Sequence, residues 1–141
     1  MSYSLLERKP AHPAREAALK SIIAIQTRDR EAWLSLWHPE ALIQDPVGVS
    51  PLDATGDGHR GIKAITAFYD NVIAQGDIRF HIRESFACGS ECANVGTITT
   101  RSADGSVARC ELVMLYRVDS EGKAVSLRAF WEFDDLVADY F

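Results

Sequence analysis

Residues 107–133, VARCELVMLYRVDSEGKAVSLRAFWEF, decide the fold. Two runs rich in β-branched, aromatic and aliphatic residues, 107–118 and 124–133, flank the turn residues Asp119-Ser-Glu-Gly122, the pattern of antiparallel strands joined by a hairpin. Side chains alternate along a strand. In the first run Cys110, Leu112, Met114 and Tyr116 share one face, opposite Arg109, Glu111, Val113, Leu115 and Arg117. In the second, Val125, Leu127, Ala129, Trp131 and Phe133 oppose Ser126, Arg128, Phe130 and Glu132. The more uniformly apolar faces are expected to point inward, leaving an outer face where Val113, Leu115 and Phe130 stand among charges.

Upstream, the strand character extends back to Gly76. Runs 78–86 and 93–101 carry it, with turns at Gly89-Ser-Glu91 and Ser102-Ala-Asp-Gly105. Before Gly76 the periodicity is helical. Residues 13–27 place Ala17, Ala18, Ile22 and Ile25 on a broad apolar face with Arg15, Glu16 and Lys20 outside it. A short helix is expected over 30–37, with Asp29 as N-cap and Trp33 and Trp37 as its apolar anchors. A third runs over 62–74 and stops at Gln75-Gly76. Between the last two lie a strand at 41–44 and a long loop at 47–61, punctuated by Pro51, Gly56 and Gly58. Residues 1–12 read as a loose leader and 13–141 as a single domain. Three helices followed by four antiparallel strands form an α+β pattern, in which the sheet curls round the helices and encloses an apolar cavity.

Bulk properties narrow the function classes. A chain of 141 residues buries a core without staples, and its 47% hydrophobic and 25% charged residues are ordinary for a globular protein. The net charge of −5 is spread over interspersed acids and bases, with no basic stripe to follow phosphates, so nucleic acid is not expected as a partner. No apolar run is long enough to span a membrane, and residues 1–15 lack a signal-peptide core, which points to the cytoplasm. Cys88, Cys92 and Cys110 form an odd set without metal spacing and are expected to be reduced thiols.

The chemistry centres on Ala41-Leu-Ile-Gln-Asp-Pro-Val-Gly48, where a short apolar strand ends in Asp45. Pro46 has no N–H and restricts the residue before it, so the carboxylate sits where strand pairing stops. One role for such an acid is to initiate an Asx turn. The other is to face the cavity as a general base. Alternation leaves almost no other ionisable group on the inner faces, and burial raises the pKa of an isolated carboxylate towards base work near neutral pH.

Three blocks, Asp45-Pro-Val-Gly48, Gly61-Ile-Lys-Ala-Ile-Thr-Ala-Phe-Tyr69 and Gly122-Lys-Ala-Val-Ser-Leu-Arg-Ala-Phe-Trp131, resemble ketosteroid isomerase, a family within the NTF2-like, or SnoaL-like, superfamily. The resemblance spans about residues 13–135 and departs in length at the loop after Gly48. It implies a cone-shaped α+β fold: N-terminal helices packed on a curved, mostly antiparallel sheet around an apolar pocket. It implies that Asp45 is the base of an allylic proton transfer on a ketosteroid-like substrate, without a cofactor. Independently of the resemblance, the apolar Val113, Leu115 and Phe130 on the outer sheet face are what a homodimer joined through that face would show. The family's hydrogen-bond donors to the enolate oxygen are a tyrosine and a protonated aspartic acid. Ser21 and Met114 occupy those positions here, and neither is an equivalent donor. Trp131, Trp37 and Tyr69 fall on aromatic positions of the family's site. Ile25 from the first helix, Thr97 and Thr99 from the third strand, and Cys110, Leu112, Tyr116 and Leu127 from the last two complete the expected pocket. The hydroxyls of Tyr69 and Tyr116 and the indoles of Trp37 and Trp131 are the remaining donors. The implied partner is a steroid- or polyketide-like small molecule, either a substrate or the ligand of a non-catalytic binder.

Other reactions hosted by this fold need other constellations. An epoxide hydrolase needs inward carboxylates bracketing an arginine, but Arg117-Val-Asp119 runs into a turn and Arg128 points outward. A dehydratase or cyclase would use an inward His–Asp pair, for which His38 and His59 are candidates; His59 reads as a solvated loop residue. The serines and cysteines lack an adjacent histidine to activate them, and the four histidines do not share metal-ligand spacing.

Overall fold

The computed structural model describes residues 4–135 and 137–139. Among these residues four α-helices, α1 (Ser4–Arg8), α2 (Pro13–Gln26), α3 (Arg30–Ser35) and α4 (Gly61–Asn71), pack on one sheet. Its strands are β1 (Trp37–Gln44), β2 (His59–Arg60), β3 (Asp77–Cys88), β4 (Glu91–Arg101), β5 (Val107–Val118), β6 (Ala124–Phe130) and β7 (Val137–Asp139). The order is β2-β1-β6-β5-β4-β3, with β7 also paired to β5. The α+β reading holds, and every paired neighbour is antiparallel except β1 and β6, which run parallel.

Helix α2 begins where Pro13 takes the first turn, a position that needs no N–H. His12 caps it: Nδ1 accepts from the Ala14 amide at 3.0 Å, so the proton on Nε2 is donated to the Gly89 carbonyl at 2.9 Å. Asp29 caps α3 as expected, accepting from the Ala32 amide at 3.1 Å. That helix stops at Ser35, short of the expected end at Trp37. The Leu36 carbonyl is taken by the Ala124 amide at 2.9 Å, and Trp37 pairs with Ala124 as the first residue of β1. Pairing then lapses until Leu42, across Pro39, which has no N–H to give to a ladder.

Two other expectations change. Within the stretch read as a loose leader, α1 forms and buries Leu6 against the core. The buried Arg15 guanidinium fastens the following segment, donating to the Pro10 carbonyl at 2.6 Å and to Ser85 Oγ at 3.1 Å. The run expected as strand 124–133 ends at Phe130; residues Phe133–Asp135 form a single 3-10 turn instead.

Strands β3 and β4 come together at Gly96. The partner strand is irregular between Ile82 and Glu84, and a Cβ on Gly96 would run into the His81 carbonyl, so only glycine fits. The core lies between the sheet and helices α2 to α4, with Trp33, Trp37, Tyr69 and Tyr116 all buried in one aromatic stack. No described helix is long and apolar enough to cross a membrane.

Candidate functional site

A cavity of about 310 Å³ opens between α2, α4 and the concave face of the sheet. Helix α2 contributes Ile25 and α3 contributes Trp33; Phe68 comes from α4 and Phe80 and Ile98 from β3 and β4. Leu112, Met114 and Tyr116 of β5 and Leu127 and Ala129 of β6 make the opposite wall, as their alternation requires. Two larger depressions, of about 650 and 630 Å³, lie outside this chamber. They hold charged side chains such as Lys20, Lys123, Arg83 and Glu111 at the surface.

Asp45 is the ionisable carboxylate among the described residues of the chamber wall. It follows the last residue of β1, and the Asp45–Pro46 peptide is cis. Two contacts from the β6 side fix the segment. The Val47 amide donates to the Ala129 carbonyl at 3.0 Å, and Trp131 Nε1 donates to Asp45 Oδ1 at 2.7 Å. Trp131 is itself stacked on Phe133, with ring centroids 5.4 Å apart. Burial raises the Asp45 carboxyl above its ordinary pKa, while the Trp131 hydrogen bond and the charge of His59 pull it back down. A half-buried carboxylate so placed can accept a proton from a weakly acidic C–H or O–H of a bound molecule.

The expected site residues fall into three groups. Asp45, Ile25, Cys110, Leu112, Met114, Tyr116, Leu127 and Trp131 line the chamber together. Ser21, Trp37 and Tyr69 stand behind the wall. Ser21 is fully buried, and its Oγ accepts from Tyr116 O–H at 2.8 Å and from Trp33 Nε1 at 3.0 Å. Trp37 stacks on Tyr116 at 6.3 Å and Tyr69 packs on Trp33 at 5.2 Å. Thr97 and Thr99 lie on the opposite, outer face. There Thr97 Oγ1 donates to Glu111 Oε1 at 2.8 Å and accepts from Arg83 Nη1 at 2.6 Å, and Thr99 is paired with Arg109. Their neighbours Ile98 and Thr100 face the cavity instead.

His59 is not a solvated loop residue. It sits in β2 opposite Ile43, its ring lies 4.6 Å from that of Phe68, and its Nε2 is buried without a hydrogen-bond partner among the described residues. Cys110 borders the chamber as a neutral thiol, its pKa pushed up to about 12 by burial and then by the charges of Asp45 and Glu111. Burial likewise raises the Tyr116 phenol, which stays protonated and able to donate. The arginines of the epoxide hydrolase reading are elsewhere: Arg117 is exposed, and Arg128 donates to Gln44 Oε1 at 3.1 Å on the outside. No three His, Cys, Asp or Glu side chains converge among the described residues in a way that could hold a metal.

Leu52, Phe68, Trp33 and Phe133 are chamber residues that sequence patterning did not assign to the site. Trp33 and Phe68 carried a signal, the apolar faces of their helices. Leu52 lies in the long loop and carried none.

Residues 19–127 match the SnoaL-like domain model. The structure superposes on a Δ5-3-ketosteroid isomerase from Mycobacterium sp. at 31% identity and a TM-score of 0.87, covering 92% of this chain and 100% of that one. It also matches RV0760c from Mycobacterium tuberculosis at 28% identity and a TM-score of 0.88, covering 94% of this chain and 100% of that one. RV0760c in complex with estradiol-17β-hemisuccinate aligns at 29% identity and a TM-score of 0.86, over 90% of this chain and 99% of that one. No curated protein matches the chain significantly in sequence.

Proposed function

Since the chain belongs to the SnoaL-like family as a ketosteroid isomerase-like member, we propose that it binds a steroid- or polyketide-like molecule in the central chamber and that Asp45 moves a proton on it. One observation carries this reading: a carboxylate held by an indole N–H at 2.7 Å borders a chamber whose other walls are almost wholly apolar. Burial of the ligand's rings supplies affinity, at about 25 cal/mol per Å² of apolar surface removed from water. Asp45 takes a proton from a carbon beside a carbonyl and returns it further along the allylic system, so no cofactor is consumed. Trp131 orients the carboxylate between the two positions. The solvent-facing side of the sheet carries Phe130 beside Val95 and Val113, and a second copy of the chain is the partner that would cover it. A cytoplasmic setting accords with three unpaired thiols.

A second reading keeps the ligand and drops the reaction: a binder in which Asp45 grips a ligand hydroxyl. Met114, which lines the chamber and has no hydrogen to donate, favours it. Conversion of a β,γ-unsaturated ketosteroid by the native chain and by Asp45→Asn separates the two. Turnover that disappears in the variant supports the base. Tight steroid binding without turnover in either protein supports the binder. Failure of any steroid to shift the melting temperature sinks both.

A further inference from the structure

Besides Asp45, one chamber-lining residue carries a hydroxyl tied into a buried hydrogen-bond network. Tyr116 projects from β5, where its ring forms part of the wall, and only 2% of the residue is exposed. Its oxygen meets Ser21 Oγ at 2.8 Å across 95 residues of sequence, and Trp33 Nε1 donates to that same Ser21 oxygen at 3.0 Å. Trp37 stacks on the Tyr116 ring and fixes its plane. Three side chains, Ser21 of α2, Trp33 of α3 and Trp37 of β1, therefore serve one phenol.

The geometry points to Tyr116 as the hydrogen-bond donor to a carbonyl or enolate oxygen of the bound molecule, with Ser21 and Trp33 as positioning residues behind it. This deepens the proposed function and rests on it. The Trp33 indole can only donate, so it fixes the direction of the chain at Ser21. A hydroxyl hydrogen rotates freely, so Ser21 and Tyr116 can exchange donor and acceptor roles without moving a heavy atom. When an oxygen enters the deep end of the chamber, Ser21 turns its hydrogen to the Tyr116 oxygen and Tyr116 turns its own to the ligand. The relay then runs Trp33 N–H to Ser21 O–H to Tyr116 O–H to ligand oxygen, each group donating once. Such an aligned chain polarises its last member and strengthens the final bond. The ligand class follows: a flat apolar ring system with an acceptor oxygen at its inner end and the proton to be moved lying nearer Asp45. Met114 can stay apolar because its neighbour two residues along the strand supplies the donor.

The test uses the full chain with 5α-androstan-3-one, whose single oxygen accepts and cannot donate, so that an ionised carboxylate gains nothing from it. Binding is followed by tryptophan fluorescence and the ketone by its infrared carbonyl stretch at about pH 8, above the ordinary carboxylate range. The wild-type complex is expected to show the stretch moved to lower frequency. Tyr116→Phe should return it towards the unbonded position and weaken binding about 2- to 12-fold, the worth of one neutral hydrogen bond. Ser21→Ala should give an intermediate frequency and Ser21→Thr should restore it, which mere packing would not do. The same frequency in wild type and Tyr116→Phe overturns the donor assignment while leaving the steroid site intact. If Tyr116→Phe does not fold, an unchanged frequency in Ser21→Ala overturns the relay. Absence of ketone binding to the wild type, up to the solubility limit, overturns the ligand class and this inference with it.

Discussion

Trp131 Nε1 and Asp45 Oδ1 lie 2.7 Å apart, joining the ends of two parallel neighbours, β6 and β1. The indole stabilises the charged carboxylate against the burial that disfavours it. Trp131→Phe removes the donor and keeps an aromatic ring, so the carboxyl should hold its proton to still higher pH. The low-pH limb of any Asp45-dependent turnover is expected to move upward, and turnover near neutrality to fall about tenfold, equivalent to a weak charged hydrogen bond. A pH–rate profile identical to wild type would falsify the assignment.

Asp45→Asn should trade function for stability. Because burial raises the folded-state pKa above the unfolded value, the acid's favourable contribution is full below about pH 3.9 and is lost as pH rises through the raised value. Asparagine has no charge to lose. The variant should therefore melt at or above the wild-type temperature near pH 8, and the gap should close as pH falls to about 4. Calorimetry across that range checks the sign; a gap that widens on acidification would contradict it.

Cys110 should resist alkylation. With its pKa pushed up to about 12, only about one thiol in ten thousand is ionised at pH 8. Cys88 is exposed and should react first with iodoacetamide, as read by mass spectrometry of the intact chain and its peptides. Early labelling of Cys110 would mean that the chamber wall opens far more than the folded geometry allows.

Gly96→Ala should destabilise the fold by about 1–3 kcal/mol, since β3 must give way to the new methyl group. The loss is expected in denaturant midpoint with an unchanged m-value. A wild-type midpoint would show that the irregular pairing near Ile82 absorbs the clash at no cost.

Arg15→Met should loosen the first helix. The guanidinium ties the Pro10 carbonyl of the exposed segment after α1 to the buried Ser85 hydroxyl, and its loss leaves Ser85 without that donor and releases the segment. Faster limited proteolysis between residues 8 and 13, with little change in the melting of the rest, is the expected result.

The alternation in 107–133 and the helical periodicity before Gly76 carried the architecture, because both follow from which faces must leave water. Strand β4 was harder. Its two faces, Asn94-Gly96-Ile98-Thr100 and Ala93-Val95-Thr97-Thr99, each mix apolar and polar residues, so alternation alone does not orient it. The register does: Thr97 lies opposite Glu111 and Ile98 opposite Cys110, which sends both threonines outward. His59 was hidden for a different reason. A two-residue strand between Gly58 and Gly61 has no period to read, and only its pairing with β1 turns the ring inward. Ser21 was legible only through the resemblance, as the residue at the family tyrosine's position, and its bond to Tyr116 spans 95 positions, which no local rule foretells.

The parallel pairing of β1 with β6 also sets a timetable. The acid and its indole partner are separated by 86 residues, so the site closes across most of the chain's length. Contacts of such separation form late, after the local helices and hairpins have paid their loop-closure entropy. During synthesis Asp45 leaves the ribosome long before β6 exists, and a nascent chain of four helices and five strands, α1 to β5, still has an open flank where the chamber will be. The wall of the chamber therefore closes only when the β5–β6 hairpin docks on β1, which makes the Asp45–Trp131 contact a report on completion of the sheet.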